Sequence, residues 1–229
     1  MAEGISARRT QNCCRAFPKV NSRMEKNLRR NLEMKGDLLL IIDMQNVYAK
    51  GGAWECMDAV AAAENIRRIV ESGIVDSAII TKFIASEGPH GVWKDYNLKY
   101  RAINEDRHAN ELLPQIAALT DRFPVYSKSE YSSLCVPQVR EACLRAKRVV
   151  VGGVVDDCCV LSTIFGLIDA GVYAVYLTDA TSGLDKEKAA ATQVVLSGLA
   201  PLHVKLMSTD EYLGDRIGNN CNYLGGVFP

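Results

Sequence analysis

The chain contains 229 residues, of which 48% are hydrophobic and 24% are charged, so it is long enough for one well-packed domain with an additional tail. Lys plus Arg and Asp plus Glu number 27 each, and the net charge is therefore zero. A neutral chain without an apolar run of about 20 residues does not indicate nucleic-acid binding or a membrane span, and we predict neither a nucleic-acid nor a membrane partner.

The cysteines are numerous but are not spaced as metal ligands. Eight cysteines are present, without a CxxC pair or a Cys/His zinc pattern, and the three histidines, His90, His108 and His203, lie far apart. No signal-peptide pattern is found either. We therefore interpret the cysteines as reduced thiols in a cytoplasmic protein, and we predict no metal site.

Residues 1–35 differ in composition from the rest of the chain. They are rich in Arg and Lys but lack the apolar segment of a signal peptide, and acidic residues interrupt any amphipathic pattern of a transit peptide. Three interpretations stay open: a flexible basic tail, a partner-binding arm, or sequence upstream of a true start at Met24 or Met34. We predict a single domain over residues 36–213 and a mobile Gly- and Asn-rich tail over residues 214–229.

The first predicted strand is the apolar run 38–42, which ends at Asp43. No GxGxxG motif follows it, so a dinucleotide site is not supported and we predict no cofactor. Residues 57–70 show the apolar spacing of a helix, and residues 78–81 form a second short strand.

Residues 82–109 form a long polar stretch that carries aromatic side chains. Trp93, Tyr96 and Tyr100 follow one another at near-helical spacing. An aromatic segment after a strand is often a pocket wall or a lid, and the alternative is an ordinary surface excursion. We hold Trp93 and Tyr96, together with Lys82 at the start of the segment, as candidates for the lining of a substrate pocket.

The rest of the domain continues to alternate between helices and strands. Helices are predicted over residues 112–119, 138–146, 160–168, 186–199 and 209–213, and strands over residues 124–126, 149–151, 172–177 and 203–206. This order predicts a three-layer α/β/α fold with a doubly wound, mostly parallel six-stranded sheet. Ligands bind beyond the carboxyl ends of the strands in such sheets, and Asp43, Lys128 and Cys159 each follow one of those ends.

The position of Cys159 suggests a reactive thiol but does not by itself establish one. It lies where a strand delivers the chain to a helix N-terminus, and the helix dipole there lowers the pKa of a thiol. On this basis we expect Cys159 to be alkylated faster than the other cysteines. Cys158 lies at the same helix start, however, and either residue could equally be a buried, inert thiol.

Four sequence blocks in order resemble the isochorismatase-like cysteine hydrolases. They are LLLIIDMQN (38–46), YSKSEYSSL (126–134), VVGGVVDDCCVLST (150–163) and GVYAVYLTDATSG (171–183), and the resemblance extends over about residues 36–213. In that superfamily the catalytic Cys directly precedes a Val, which favours Cys159 over Cys158. The resemblance implies catalytic roles for Asp43, Lys128 and Cys159.

The resemblance also implies finer features of the site. It implies a cis peptide bond between Val154 and Val155, and an oxyanion hole formed by the N–H groups of Val155 and Cys159. Metal-binding nicotinamidases of the superfamily carry an Asp-x-His element after the second strand, but this chain has TKFIASEGPH there, with Lys82 in place of an acidic ligand. Relatives commonly form homodimers or larger homo-oligomers, which we expect here as well.

The interpretation that follows is a metal-independent cysteine amidohydrolase that cleaves a C–N bond of a small amide, ureide or imide-like substrate. Cys159 attacks the carbonyl, Asp43 transfers protons, and Lys128 positions and neutralises both. Two alternatives remain: isochorismatase-type hydrolysis of a vinyl ether, and a non-enzymatic interaction module of the same fold.

Overall fold

Six parallel strands form the centre of the molecule. The computed structural model describes residues 36–75 and 77–219, and across the sheet its strands follow the order β3-β2-β1-β4-β5-β6. The bounds are β1 (Asp37–Ile42), β2 (Ser77–Phe83), β3 (Val125–Lys128), β4 (Arg148–Val154), β5 (Ala174–Ser182) and β6 (Val204–Met207). The chain order reverses between β1 and β4, so this is the switch point at which doubly wound sheets bind ligands.

Helices cover both faces of this sheet. They are α1 (Ala59–Glu71), α2 (Trp93–Lys99), α3 (Arg101–Asn104), α4 (Pro114–Ala117), α5 (Pro137–Arg145), α6 (Leu161–Asp169), α7 (Lys186–Ser197) and α8 (Thr209–Asn219). Side chains alternate across β1, with Leu39 and Ile41 in the core under α1 and with Leu38, Leu40 and Ile42 in the core under α5 and α6. The predicted three-layer α/β fold with a six-stranded sheet is confirmed.

Several element bounds differ from the prediction. β5 does not end at Asp179 but continues to Ser182, because Thr181 and Ser182 pair with Gly153 and Val154 of β4 after a shift in register. The Asp179 carboxylate accepts hydrogen bonds from the N–H and hydroxyl of Thr209 (2.7 and 2.8 Å). The helix expected over residues 112–119 is the single turn α4. The last helix extends beyond residue 213 to Asn219.

The tail predicted over residues 1–35 lies outside the described residues, as does the part of the C-terminal tail from residue 220 onward. Within the described part of the chain, no helix combines the length and the apolar character that a membrane crossing requires.

Gly153 brings β1 and β4 unusually close at the carboxyl end of the sheet. Its φ is +128°, and a Cβ at this position would lie 2.1 Å from the carbonyl oxygen of Ile42. Only glycine fits both this φ and this approach. The close contact places the chain after β4 directly beside the chain after β1, where the candidate site lies.

Candidate active site

Three side chains from three different strands meet at the carboxyl edge of the sheet. Asp43 follows β1, Lys128 ends β3, and Cys159 lies in the helical turn after β4. Lys128 Nζ lies 2.6 Å from Asp43 Oδ2 and donates a hydrogen bond of 3.4 Å to Cys159 Sγ. The structure thus brings together the three residues that the sequence singles out, and the side chains of Asp43 and Lys128 are fully buried.

Asp43 is held in an unusual backbone conformation. Its φ is +52°, which makes it the only non-glycine residue with positive φ among those described. Such a conformation costs about 1 kcal/mol or more for an L-residue and marks places where the surroundings impose the geometry. Thr81 supplies part of that geometry, because its carbonyl accepts the Asp43 N–H (3.1 Å) and its hydroxyl donates to Asp43 Oδ1 (2.8 Å).

Lys128 has more acceptors around it than it has N–H donors. Its Nζ lies close to the carbonyl oxygens of Glu130 (2.9 Å) and Tyr131 (3.0 Å) and to Cys159 Sγ, in addition to Asp43 Oδ2. At 2.6 Å the contact with Asp43 is a close, charge-assisted ion pair, and a hydrogen bond to Asp43 helps to raise the pKa of Lys128. A hydrogen bond between Asp43 and Cys159 likewise helps to raise the pKa of the thiol, so the carboxylate lies within reach of the thiol proton.

Cys159 lies in a π-helical turn, Asp156–Val160, that leads directly into α6. The wide turn is closed by a hydrogen bond from the Val160 N–H to the Val155 carbonyl (3.2 Å). Thr163 donates to the Cys159 carbonyl (2.7 Å) and accepts from the Ser133 N–H (2.9 Å), which ties the turn to the chain after β3. The peptide bond between Val154 and Val155 is cis.

The expected lowering of the Cys159 pKa is wrong. Burial raises the pKa of this thiol far above its usual value, the negative charge of Asp43 raises it further, and Lys128 opposes both. For Lys128, burial lowers the pKa, but Asp43 and Cys159 raise it, and the net change is upward. The free site thus holds an ion pair and a neutral thiol that is only 3% exposed, so rapid alkylation of Cys159 is no longer expected.

A cavity of about 190 Å³ opens onto Cys159. Its wall is largely aromatic and contains no charged side chain; the lining residues are Tyr48, Trp54, Phe83, Tyr96, Tyr100, Tyr131, Val155, Cys158, Cys159 and Leu184. A larger depression of about 550 Å³ lies between residues 46–53 and 102–109, but it contains none of the three clustered side chains. The smaller cavity is therefore the candidate substrate site.

The three residues predicted to line the pocket lie at different distances from the cavity. Tyr96 lines the cavity, and Trp93 lies one layer behind it, with its ring centroid 5.2 Å from that of Tyr96. Lys82 does not reach the cavity, because successive residues of a strand face opposite sides of the sheet and its neighbours Thr81 and Phe83 occupy the site side. The aromatic stretch predicted as a wall or a surface excursion is thus a wall.

Cys158 also lines the cavity, next to Cys159. Its Sγ lies 3.8 Å from Asp157 Oδ2, and burial together with that carboxylate raises its pKa to about 11. No contact to Asp43 or Lys128 accompanies this position. The two thiols therefore share the cavity, but only Cys159 contacts the ion pair.

Among the described residues, no group of three or more His, Cys, Asp or Glu side chains is arranged to hold a metal ion. His90 lies on the surface, with its Nε2 4.0 Å from Glu130 Oε1.

The sequence did not point to several cavity residues. Tyr48 and Trp54 come from the segment after β1, and Leu184 comes from the loop after β5. They lie far apart in the chain and show no periodicity, so only the folded structure reveals that they face one space. The YSKSEYSSL block contained Tyr131 but gave no reason to assign it to the wall.

Comparison with known proteins places the chain in a family. The model described as Isochorismatase domain matches residues 37–211, which is most of the chain. The protein therefore belongs to the isochorismatase-like hydrolase family, and the predicted resemblance is confirmed.

Solved structures of low sequence identity share the fold. A cysteine hydrolase from Pseudomonas syringae pv. phaseolicola aligns with a TM-score of 0.67 and 17% identity over 80% of this chain and 92% of its own. An isochorismatase-like hydrolase from Alkaliphilus metalliredigens aligns with a TM-score of 0.60 and 19% identity, over 79% and 98%. The MAR1 ribonuclease from Caenorhabditis elegans aligns with a TM-score of 0.63 and 15% identity, over 81% and 83%. A comparison with curated proteins gives no significant match.

Proposed function

We propose that the protein is a metal-independent cysteine hydrolase that cleaves the C–N bond of a small amide, ureide or imide-like substrate. The observation that carries this proposal is the contact of Cys159 with the buried Asp43–Lys128 pair at the floor of the cavity. A thiol beside a buried carboxylate has both parts of a nucleophile–base pair.

The geometry supports a two-stage mechanism. The substrate carbonyl enters the cavity above Cys159, Asp43 Oδ2 takes the thiol proton, and Sγ forms a bond to the carbonyl carbon. Because the thiol is neutral in the free site, this proton transfer accompanies attack instead of preceding it. Lys128 remains charged and stabilises the sulfur as negative charge develops on it.

Collapse of the tetrahedral intermediate completes acylation. The C–N bond breaks, the leaving nitrogen takes the proton from Asp43, and a thioester remains on Cys159. Asp43 then removes a proton from a water molecule that attacks the thioester, and the thiol is regenerated with release of the acid. The N–H groups of Val155 and Cys159, at the cavity wall, are the proposed donors to the oxyanion in both stages.

The character of the cavity favours an amide over the vinyl ether of the isochorismatase reaction. Isochorismate carries two carboxylates, and none of the side chains that line the cavity is a cation that could pair with them. Burial of an unpaired charge costs several kcal/mol or more. The complete cluster of Asp43, Lys128 and Cys159 likewise favours an enzyme over an interaction module of the same fold.

A turnover screen with mass analysis tests the proposal. Small amides, ureides and imides are supplied, ammonia or amine release is followed, and the protein is denatured during turnover for mass determination. We expect an added mass of one acyl group on the wild-type protein. The Cys159→Ala variant should show neither adduct nor turnover, and Asp43→Asn should lose turnover while remaining folded.

Cys158→Ala is the matched control for the nucleophile. Its sulfur lies in the same cavity without contact to the ion pair, so we expect this variant to keep at least about half of the wild-type turnover. An inactive Cys158→Ala together with an active Cys159→Ala would show that Cys158 is the nucleophile. Two active variants would refute the thiol mechanism.

A further inference from the structure

Tyr48 presents a hydroxyl that the described protein does not use. Its side chain lines the cavity and the residue is only 4% exposed, yet its hydroxyl makes no hydrogen bond to any residue in the described ranges. This hydroxyl is not among the fully enclosed polar atoms that lack a partner, so it keeps access to the space beside it. A hydroxyl without a protein partner, on a residue that lines a substrate cavity, can bind an acceptor atom of the ligand.

The ring that carries this hydroxyl is held firmly. The Tyr48 N–H donates to the Gln45 carbonyl (3.1 Å), and the Tyr48 carbonyl accepts from the Cys56 N–H (2.9 Å). Its ring lies 6.0 Å from the ring of Trp54, which also packs against Tyr100 at 5.5 Å. Such a fixed support keeps the hydroxyl in one position.

Tyr48 remains a hydrogen-bond donor at physiological pH. Burial raises the pKa of its hydroxyl well above the usual value, and the nearby Cys159 and Asp43 raise it further. The hydroxyl therefore stays protonated and can donate to an acceptor atom.

The rest of the cavity restricts both the charge and the size of the ligand. None of the side chains that line it is a cation, and the two lysines nearest to it among the described residues are already paired, Lys128 with Asp43 and Lys188 with Asp185. Nothing in the wall itself therefore compensates a carboxylate on the substrate. A volume of about 190 Å³ exceeds the roughly 150 Å³ of a protein cavity that holds benzene, which leaves room for one ring and a small polar group.

We infer that the substrate is an uncharged molecule of about one ring that carries, apart from its scissile carbonyl, a second acceptor atom bound by the Tyr48 hydroxyl. This inference rests on the proposed function for the position of the scissile carbonyl. It makes Tyr48 the residue that selects among amides of similar size.

Binding to the Cys159→Ala variant tests the inference without requiring turnover. Four uncharged probes are titrated by calorimetry: benzamide, which has no second acceptor, and the three pyridinecarboxamides, whose ring nitrogen samples three positions. The anion 3-carbamoylbenzoate serves as the charged probe. Each titration is repeated after adding Tyr48→Phe, which removes only the hydroxyl, and after adding Tyr173→Phe, which removes a hydroxyl bound to Pro201 outside the cavity.

We expect at least one pyridinecarboxamide to bind roughly three- to tenfold more tightly than benzamide, the usual effect of one hydrogen bond. Tyr48→Phe should abolish this preference and leave benzamide binding unchanged, and Tyr173→Phe should preserve both. The charged probe should bind on the order of a hundredfold more weakly than benzamide.

Three outcomes would overturn the inference. They are equal binding of the charged and uncharged probes, a preference that survives Tyr48→Phe, and failure of every uncharged probe to bind. Failure of the proposed hydrolysis is a separate result, since it would appear as an absence of acyl adduct on wild-type protein even where these probes bind Cys159→Ala with the expected preference.

Discussion

The carboxylate of Asp43 has two oxygens with different partners, and Thr81 holds one of them. The Thr81 hydroxyl donates to Oδ1, while Oδ2 lies against Lys128. Thr81 is fully buried and does not line the cavity, so it acts on the reaction only through Asp43.

Removal of that hydroxyl should therefore affect the chemical step more than binding. We expect Thr81→Val to lower kcat roughly tenfold, because a lost hydrogen bond to a charged group costs about 1.5 to 3 kcal/mol and leaves the carboxylate free to turn. KM should change less than threefold. Steady-state kinetics on a substrate from the amide screen provides the measurement.

Thr81→Ser is the matched control, because it keeps the hydroxyl and removes a methyl group. We expect it to retain most of kcat, although its stability should fall with the lost packing. Equal loss of kcat in the Val and Ser variants would show that Thr81 acts by packing alone.

At the residue scale, the sequence was informative where chemistry and position coincided. Asp43, Lys128 and Cys159 were predictable because each is a reactive side chain at or soon after the carboxyl end of a strand, and the four sequence blocks separated Cys159 from Cys158. The pKa of Cys159 was not predictable, because it depends on complete burial beside Asp43 and not on the helix start alone. Lys82 was wrongly predicted to line the pocket, because the sequence alone does not show which alternate residues of β2 face the site.

Among the elements, the end of β4 depends on a glycine. A Cβ at Gly153 would lie 2.1 Å from the Ile42 carbonyl oxygen, and the φ of +128° excludes ordinary L-residues. We expect Gly153→Ala to lower the free energy of unfolding by at least about 3 kcal/mol, because backbone strain and a backbone clash occur together. Urea denaturation followed by circular dichroism measures this difference.

Gly171 provides the comparison, since its φ is +74° but nothing lies within 4 Å of its missing Cβ. Gly171→Ala should cost only about 1 to 2 kcal/mol, the usual penalty of the left-handed conformation. If the two variants lost equal stability, the close approach of β1 and β4 would not be the cause.

The π-helical turn that carries Cys159 begins with a buried acid. Burial raises the pKa of Asp156 to about 6, with Asp157 adding to it, while hydrogen bonds such as the one from Tyr176 (3.1 Å) oppose the rise. In the unfolded chain an Asp titrates near pH 4. Between about pH 4 and pH 6 the unfolded chain therefore loses this proton before the folded protein does.

This difference predicts a loss of stability as pH rises. The contribution of Asp156 is fully present below about pH 4, falls between pH 4 and pH 6, and is then lost, with a total change on the order of 2 to 3 kcal/mol. Asp156→Asn should remove this slope and be more stable than wild type at pH 7. Urea titrations at pH 4, 5, 6 and 7 measure it, and identical slopes in the two proteins would contradict the assignment.

The order of elements was predictable, but their ends were less so. Apolar runs located five of the six strands, because each of these contains buried β-branched or aliphatic residues, whereas in β3 only Lys128 is buried. The extension of β5 past Asp179 depends on pairing with Gly153 and Val154 of β4 after a shift in register, which the sequence of β5 alone does not show. The π-helical turn has no composition signal that separates it from the start of an ordinary helix.

For the whole molecule, the domain defined by the family match begins at residue 37. Asp37 is anchored at that point by Arg148, at 2.7 Å, and by the Tyr212 hydroxyl, at 2.9 Å. The described sheet and the described residues of both cores lie from this residue onward.

Deletion of residues 1–23 should therefore shift the melting temperature by no more than about 2 °C and leave the turnover unchanged. Deletion of residues 1–40 is the control, because it removes most of β1 and should prevent folding. A large loss of stability in the shorter deletion would show that the removed residues contribute to the core or to an oligomer interface. Homo-oligomer formation stays a prediction, and sedimentation of both proteins measures it.

The arrangement of the three reactive residues also bears on how the protein becomes active. Asp43, Lys128 and Cys159 come from β1, β3 and the turn after β4, and β1 contacts β3 only through β2, which lies between them. The three residues are far apart in sequence, so no short fragment of the chain contains all of them. Contacts between residues so far apart form late in folding, because a long loop must close first. During refolding from denaturant, recovery of turnover should therefore lag behind recovery of helical signal. A polypeptide still emerging from the ribosome would be inactive until β4 and the turn that follows it had joined the sheet.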